Sequence, residues 1–133
     1  CSGAATGAAV RELRADNAAQ VLGASSYVLV FVKNAGVVDR GTVNSFVVHF
    51  AEALRQESNA WSIATLDFVR EIAVSESSAG HQQLLKKLSR SCCAVVRKAE
   101  KLVVYTGTPS VRLIEEWVDR LKLGELAWEA IAL

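Results

Sequence analysis

Cys92 and Cys93 stand side by side late in the chain, and with Cys1 they make up its three thiols. A thiol acts as a nucleophile only in its thiolate form, so a reactive cysteine needs surroundings that lower its pKa. Three cysteines, two of them adjacent, supply neither a disulfide framework nor a zinc set of the Cys-x-x-Cys type. Successive side chains of a strand point to opposite faces, so a Cys92–Cys93 disulfide would demand a distorted backbone. The plain expectation is a pair of small apolar side chains, one filling space on each face of a sheet. The alternative is an enzyme that uses Cys92 or Cys93 as a single nucleophile or peroxidatic thiol.

The remaining candidates are sparse. His49 falls off the apolar stripe of its helix and His81 follows a Ser/Gly stretch, so both are expected in solvent. No second histidine or cysteine stands at ligand spacing from either, and no metal is expected. Asp67 closes an apolar run, where it serves to cap the next turn. The chain has no Gly-x-Ser-x-Gly elbow, no Gly-x-x-x-x-Gly-Lys loop and no Gly-x-Gly-x-x-Gly fingerprint. Hydrolase, nucleotide-binding and dehydrogenase readings therefore have no residue to stand on, and no cofactor is expected.

Composition narrows the partners. Fifteen basic and 14 acidic side chains leave a net charge of +1 across 133 residues. A nucleic-acid binder that works through bulk positive charge would show a basic face or tail, so no nucleic-acid partner is expected. The longest apolar run, Tyr27 to Val32, is cut by Lys33 and Asn34. It falls far short of the ~20 residues that cross a bilayer, and no membrane insertion is expected. With 51% hydrophobic residues, one proline and eight glycines, the chain is neither disordered nor collagen-like. It reads as one domain over residues 1–124, with 125–133 a helical tail or the start of a linker to a further domain.

The elements that would position these groups follow from periodicity. Val10 to Leu13 is a short strand; Asp16 then caps a brief helix that Gly23 ends. YVLVFV, Tyr27 to Val32, is apolar without alternation, the pattern of a central strand covered on both faces. After a turn from Lys33 to Gly41, Val43, Phe46, Val47, Phe50, Ala51 and Leu54 recur at helical spacing. Trp61 to Val69 is a strand, with Trp61 and Ile63 on one side and Ala64, Leu66 and Phe68 on the other. Strand, crossover helix and strand imply a parallel pair. Arg70 to Gly80 is a polar loop or poorly packed helix start, and His81 to Leu88 a helix. Cys92 to Val96 and Lys101 to Tyr105 form a hairpin. Thr108 or Ser110 caps a final helix whose stripe is Ile114, Trp117, Val118 and Leu121 and which Gly124 stops.

This order resembles the thioredoxin fold over nearly the whole chain. The resemblance is carried by VRELRADNAAQVL, YVLVFV, the Phe46/Val47/Phe50 helix, AEKLVVYTG and RLIEEWVDRLKLG, segments similar to those of protein disulfide isomerase domains. It implies an α/β domain with a central mixed sheet of four to five strands flanked by helices on both faces.

The same resemblance exposes what the chain lacks. The family's chemistry needs a Cys-x-x-Cys loop after the central strand, its first thiol activated by the following helix N-terminus. Counted from YVLVFV, those cysteines fall at Val37 and Arg40, or at Gly36 and Asp39 with a shift of one. The loop Gly36, Val37, Val38, Asp39, Arg40 is thus degenerate, since none of its side chains can exchange a disulfide. The family's buried acid in the central strand is replaced by Phe31. Its cis-proline position matches Cys92, where a cis bond would cost about 3 kcal/mol and a trans peptide is expected. Pro109, the sole proline, comes after the hairpin.

These departures imply a non-catalytic protein-binding or scaffold module, chaperone-like, within a larger disulfide-isomerase-like protein. Its partner would be a protein or polypeptide, met through an apolar patch at Val37 and Val38 or through neighbouring domains of the same chain. The endoplasmic reticulum lumen is suggested by the resemblance alone.

Overall fold

The computed structural model describes residues 10–14, 17–23, 26–34, 39–55, 61–72, 79–89, 91–98 and 100–131. Its elements in chain order are β1 (Val10–Glu12), α1 (Ala18–Gly23), β2 (Tyr27–Lys33), α2 (Arg40–Arg55), β3 (Trp61–Asp67), α3 (Phe68–Ile72), α4 (Ala79–Leu88), β4 (Cys93–Arg97), β5 (Lys101–Val104), α5 (Val111–Lys122) and β6 (Glu129–Ala130). The strands form one mixed sheet in the order β1-β3-β2-β4-β5-β6. β1 and β2 run parallel to β3, while β4, β5 and β6 are each antiparallel to the preceding neighbour in that order.

The uninterrupted apolar run of β2 explains its central place. Val28 through Val32 are all buried, so both faces of the strand need cover. Leu29 and Phe31 enter a core layer closed by Val43, Phe46 and Phe50 of α2 and by Ile114, Val118 and Leu121 of α5. Val28, Val30 and Val32 face the other layer, closed by Val21 and Leu22 of α1 and Leu84, Leu85 and Leu88 of α4. β3 splits the same way, with Trp61 and Ile63 in the first layer and Ala64 and Leu66 in the second. Each such aliphatic or aromatic side chain contributes about 1.5–3 kcal/mol by leaving water.

Several boundaries differ from the sequence reading. β3 stops at Asp67 because the Asp67 carboxylate accepts the Arg70 N–H at 3.3 Å, capping α3 where a strand to Val69 and then a loop or poorly packed helix start were expected. Of the two expected caps of α5, Thr108 and Ser110, the N-cap is Ser110, with extended dihedrals and no bond from its own hydroxyl. Asp16 lies outside the described residues; Asn17 directly precedes α1, and its carbonyl accepts the Val21 N–H.

The largest correction concerns the tail and the strand number. Gly124 ends α5 at φ +76°, a left-handed angle that suits glycine. Beyond it, where a helical tail or the start of a linker was expected, Glu129–Ala130 form an edge strand, giving among the described residues a sheet of six strands where four to five were expected. The cause is the outer ladder of β5: Leu102 pairs with Glu129, Lys101 with Ala130, and Glu100 accepts the Ile131 N–H at 2.8 Å. Among the described residues no helix is long and apolar enough to cross a membrane.

Candidate functional site at the end of the central strand

The chain leaves β2 toward α2, and the N-terminus of a helix is where a thiolate or another anion is stabilised by the helix dipole. Gly36, Val37 and Val38, the expected loop and contact residues, lie outside the described residues. Arg40 opens α2. Asp39 is its N-cap: one carboxylate oxygen accepts the Thr42 N–H at 3.0 Å and the other the Thr42 hydroxyl at 2.6 Å. Those two bonds hold the exposed Asp39 carboxyl below its ordinary pKa. At neutral pH a carboxylate therefore occupies the position that favours negative charge, and it cannot exchange electrons or attack sulfur.

The Phe31 side chain, at the position matched to the family's buried acid, sits fully buried between the rings of Phe46 and Phe50, with centroids 6.1 and 5.6 Å away. An acid there would lose its hydration among aromatic rings; a phenyl ring does not.

Cys92 comes to the same end of β2. Its carbonyl accepts the Val32 N–H at 2.8 Å, and Cys93 stands opposite Phe31 in the ladder. The side-chain amide of Asn34, just past β2, donates to the Ser89 carbonyl at 3.0 Å and ties the strand exit to the segment leading into β4. Among the described residues no peptide bond is cis, so the bond before Cys92 is trans.

The two thiols do not point to opposite faces. Cys92 and Cys93 lie in the same core layer, with sulfurs 3.9 Å apart and both thiols free. Strand alternation starts only at Cys93: Cys93 and Val95 face the α2/α5 layer, Ala94 and Val96 the other. Cys92 precedes β4, where the chain bends. The bend is fixed by Ser91, whose hydroxyl oxygen accepts the Cys93 N–H at 3.2 Å and whose single proton is shared between the carbonyl oxygens of Cys93 and Tyr105, 2.7 and 2.6 Å away. Both sulfurs are sealed from solvent, and burial pushes the Cys93 thiol well above the ordinary range.

Sequence reasoning passed over Ser91 and Tyr105. The Tyr105 ring is buried against Trp117, 5.4 Å away edge to face, and its hydroxyl donates to the Thr108 carbonyl at 2.5 Å. Gly107 lies so close that a Cβ there would fall 2.6 Å from the Tyr105 Oη. The available signal was a serine abutting an otherwise apolar strand, since such a hydroxyl must find backbone partners once buried.

His49 is exposed as expected, yet it has a partner. Its Nε2 pairs with the Glu115 carboxylate across the α2/α5 boundary, and its ring meets Phe50 edge-on at 5.1 Å. Here α2 and α5 enclose a groove of about 270 Å³ lined by His49, Phe50, Ala53, Glu115, Val118, Asp119 and Lys122. The His81 side chain lies outside the description. Among the described residues no group of three or more histidine, cysteine or acidic side chains could hold a metal ion. No protein-family model matches the chain, and no curated protein matches it.

Proposed function

We propose that this chain is a thioredoxin-like domain without redox activity, a protein-binding or scaffold module within a larger protein resembling the disulfide isomerases. The fold half of the proposal is supported by the order β1, α1, β2, α2, β3, helices, β4–β5 hairpin, α5, with β2 and β3 parallel and β4 and β5 antiparallel. A sixth strand is an addition to that pattern. The functional half rests on one observation. No thiol stands at either cysteine register, Val37/Arg40 or Gly36/Asp39, the start of α2 is capped by Asp39 bonded to Thr42, and Cys92 and Cys93 are enclosed in the core.

The test is a thiol-driven disulfide-reduction assay. The wild-type chain is expected to match the uncatalysed rate, and the Val37→Cys/Arg40→Cys variant to exceed it, because the scaffold would then carry a dithiol at the helix start. Wild-type turnover that disappears in Cys92→Ser would overturn the proposal and favour the single-thiol enzyme.

A further inference from the structure

We infer that β6 is an occupant in cis of a docking edge, and that the same edge accepts an extended acidic peptide in trans. The inference rests on the protein-binding reading above and names its surface.

The tail is bound as a peptide would be in strand addition, where main-chain bonds supply affinity and alternate side chains supply specificity. Only Glu129 and Ala130 are strand, and both are exposed. Recognition comes from the side chains around them. Trp128 packs on the α2/α5 layer beside Tyr27, whose ring lies 6.2 Å away and is itself stacked on Trp61 at 4.9 Å. Glu129 reaches Lys87 of α4 at 3.3 Å, and Ile131 packs against the opposite core layer. Aromatic, acidic, small, aliphatic is thus the pattern the edge reads.

Two features make the edge replaceable by a partner. The pairing ends at Leu102 although β5 continues to Val104, so an incoming strand extended before its aromatic residue can run along more of β5 than the tail does. Basic side chains lie on both faces of the sheet near the edge: Lys87 of α4 holds Glu129 on one, and on the other Arg97 lies over the Tyr27 ring at 6.0 Å and Lys122 over Trp61 at 5.7 Å. That charge favours an acidic partner strand. A tethered tail competes at an effective concentration on the order of millimolar, so trans binding rises when the tail is loosened.

The test uses the full-length chain and a fluorescein-labelled peptide, LTVWEAI, followed by anisotropy. Trp128→Ala/Ile131→Pro removes the aromatic anchor and the N–H that bonds Glu100, and it is expected to bind the peptide at least tenfold more tightly than wild type. A folded variant that fails to bind, or that binds no better than wild type, overturns the inference. A second arm covers a double variant that does not fold. Lys87→Glu alters only an exposed side chain and repels Glu129, and a peptide with lysine in place of glutamate is expected to bind it more tightly than LTVWEAI does. Absence of that preference overturns the inference too. The disulfide-reduction assay is unaffected by either outcome, so the two readings fail separately.

Discussion

Cys92 and Cys93 hold their sulfur atoms 3.9 Å apart within one core layer, because the chain bends at Cys92 before β4 begins. The pair is close enough for a weak S–H···S contact and is closed to reagents. In a Cys1→Ser background, an aromatic disulfide reagent is therefore expected to label native protein roughly a hundredfold more slowly than denatured protein, since labelling must wait for local opening. Equal rates measured by thiolate release would show an open, reactive thiol instead.

Alkaline pH probes the same pair. Burial raises the Cys93 thiol well above its reference pKa of 9.0, and it also raises the Tyr105 phenol above 10.0. A group whose pKa is higher folded than unfolded stabilises fully below the unfolded value, and that stability is lost as pH rises toward the folded one. The Cys92 thiol, lowered by its contact with the Cys93 sulfur, works in the opposite sense, so the Cys93 contribution is read as the difference from Cys93→Ala: it is flat below about pH 8.5 and falls above it, by up to about 1.4 kcal/mol per pH unit. Cys93→Ala should flatten the first part of the decline in melting temperature between pH 8.5 and 10. An unchanged slope would mean that Cys93 ionises freely.

At the acidic end the group to follow is Asp39. Its carboxyl is held below 3.8 by the Thr42 hydroxyl and N–H, so its capping is present above that pH and is lost as the pH falls through the folded value. Asp39→Ala is expected to melt a few degrees below wild type at pH 7, with the gap narrowing as the pH falls below 3.8. Asp39→Asn should recover part of the loss, because its amide oxygen can still accept the Thr42 N–H. A gap that stays constant with pH would separate the effect from the carboxylate.

Ser91 carries the bend that brings the sulfurs together. Removing its hydroxyl leaves the Cys93 N–H and the Tyr105 carbonyl short of a buried partner, while the Cys93 carbonyl keeps the Tyr105 N–H at 3.0 Å, so Ser91→Ala is expected to cost about 1–3 kcal/mol in denaturant unfolding. It should also speed thiol labelling, a readout that distinguishes loss of the bend from general loosening when compared with an equally destabilised helix variant.

How much of this was legible beforehand depended on the range of the interactions. YVLVFV announced a two-sided central strand because continuous burial leaves a one-dimensional trace, and the α2 and α5 stripes likewise followed from spacing. Asp67 was legible as a cap because its partner, Arg70, is three residues away. The bend at Cys92 was hidden, because it depends on a serine hydroxyl meeting a carbonyl on another strand, Tyr105, 14 residues on. The tail misled for a similar reason: LAWEAI has no strong period, and its conformation is decided by the backbone positions on β5 and by Tyr27, about 100 residues earlier in the chain.

Gly107 provides the sharpest steric test near the site. A Cβ on it would fall 2.6 Å from Tyr105 Oη and 2.8 Å from its Cζ, well inside contact distance. The ring cannot simply swing away, since it is buried, edge-on to Trp117 and hydrogen-bonded through its hydroxyl to the Thr108 carbonyl. Gly107→Ala is expected to cost about 1–3 kcal/mol through overpacking. In a Tyr105→Phe background the hydroxyl is gone and with it the nearest clash, so the same substitution should cost less there. The coupling energy from this double-mutant cycle is therefore expected to be nonzero, because the substitutions meet at one atom. Additive costs would show that the alanine methyl finds room elsewhere and that the Tyr105 clasp is looser than its contacts imply.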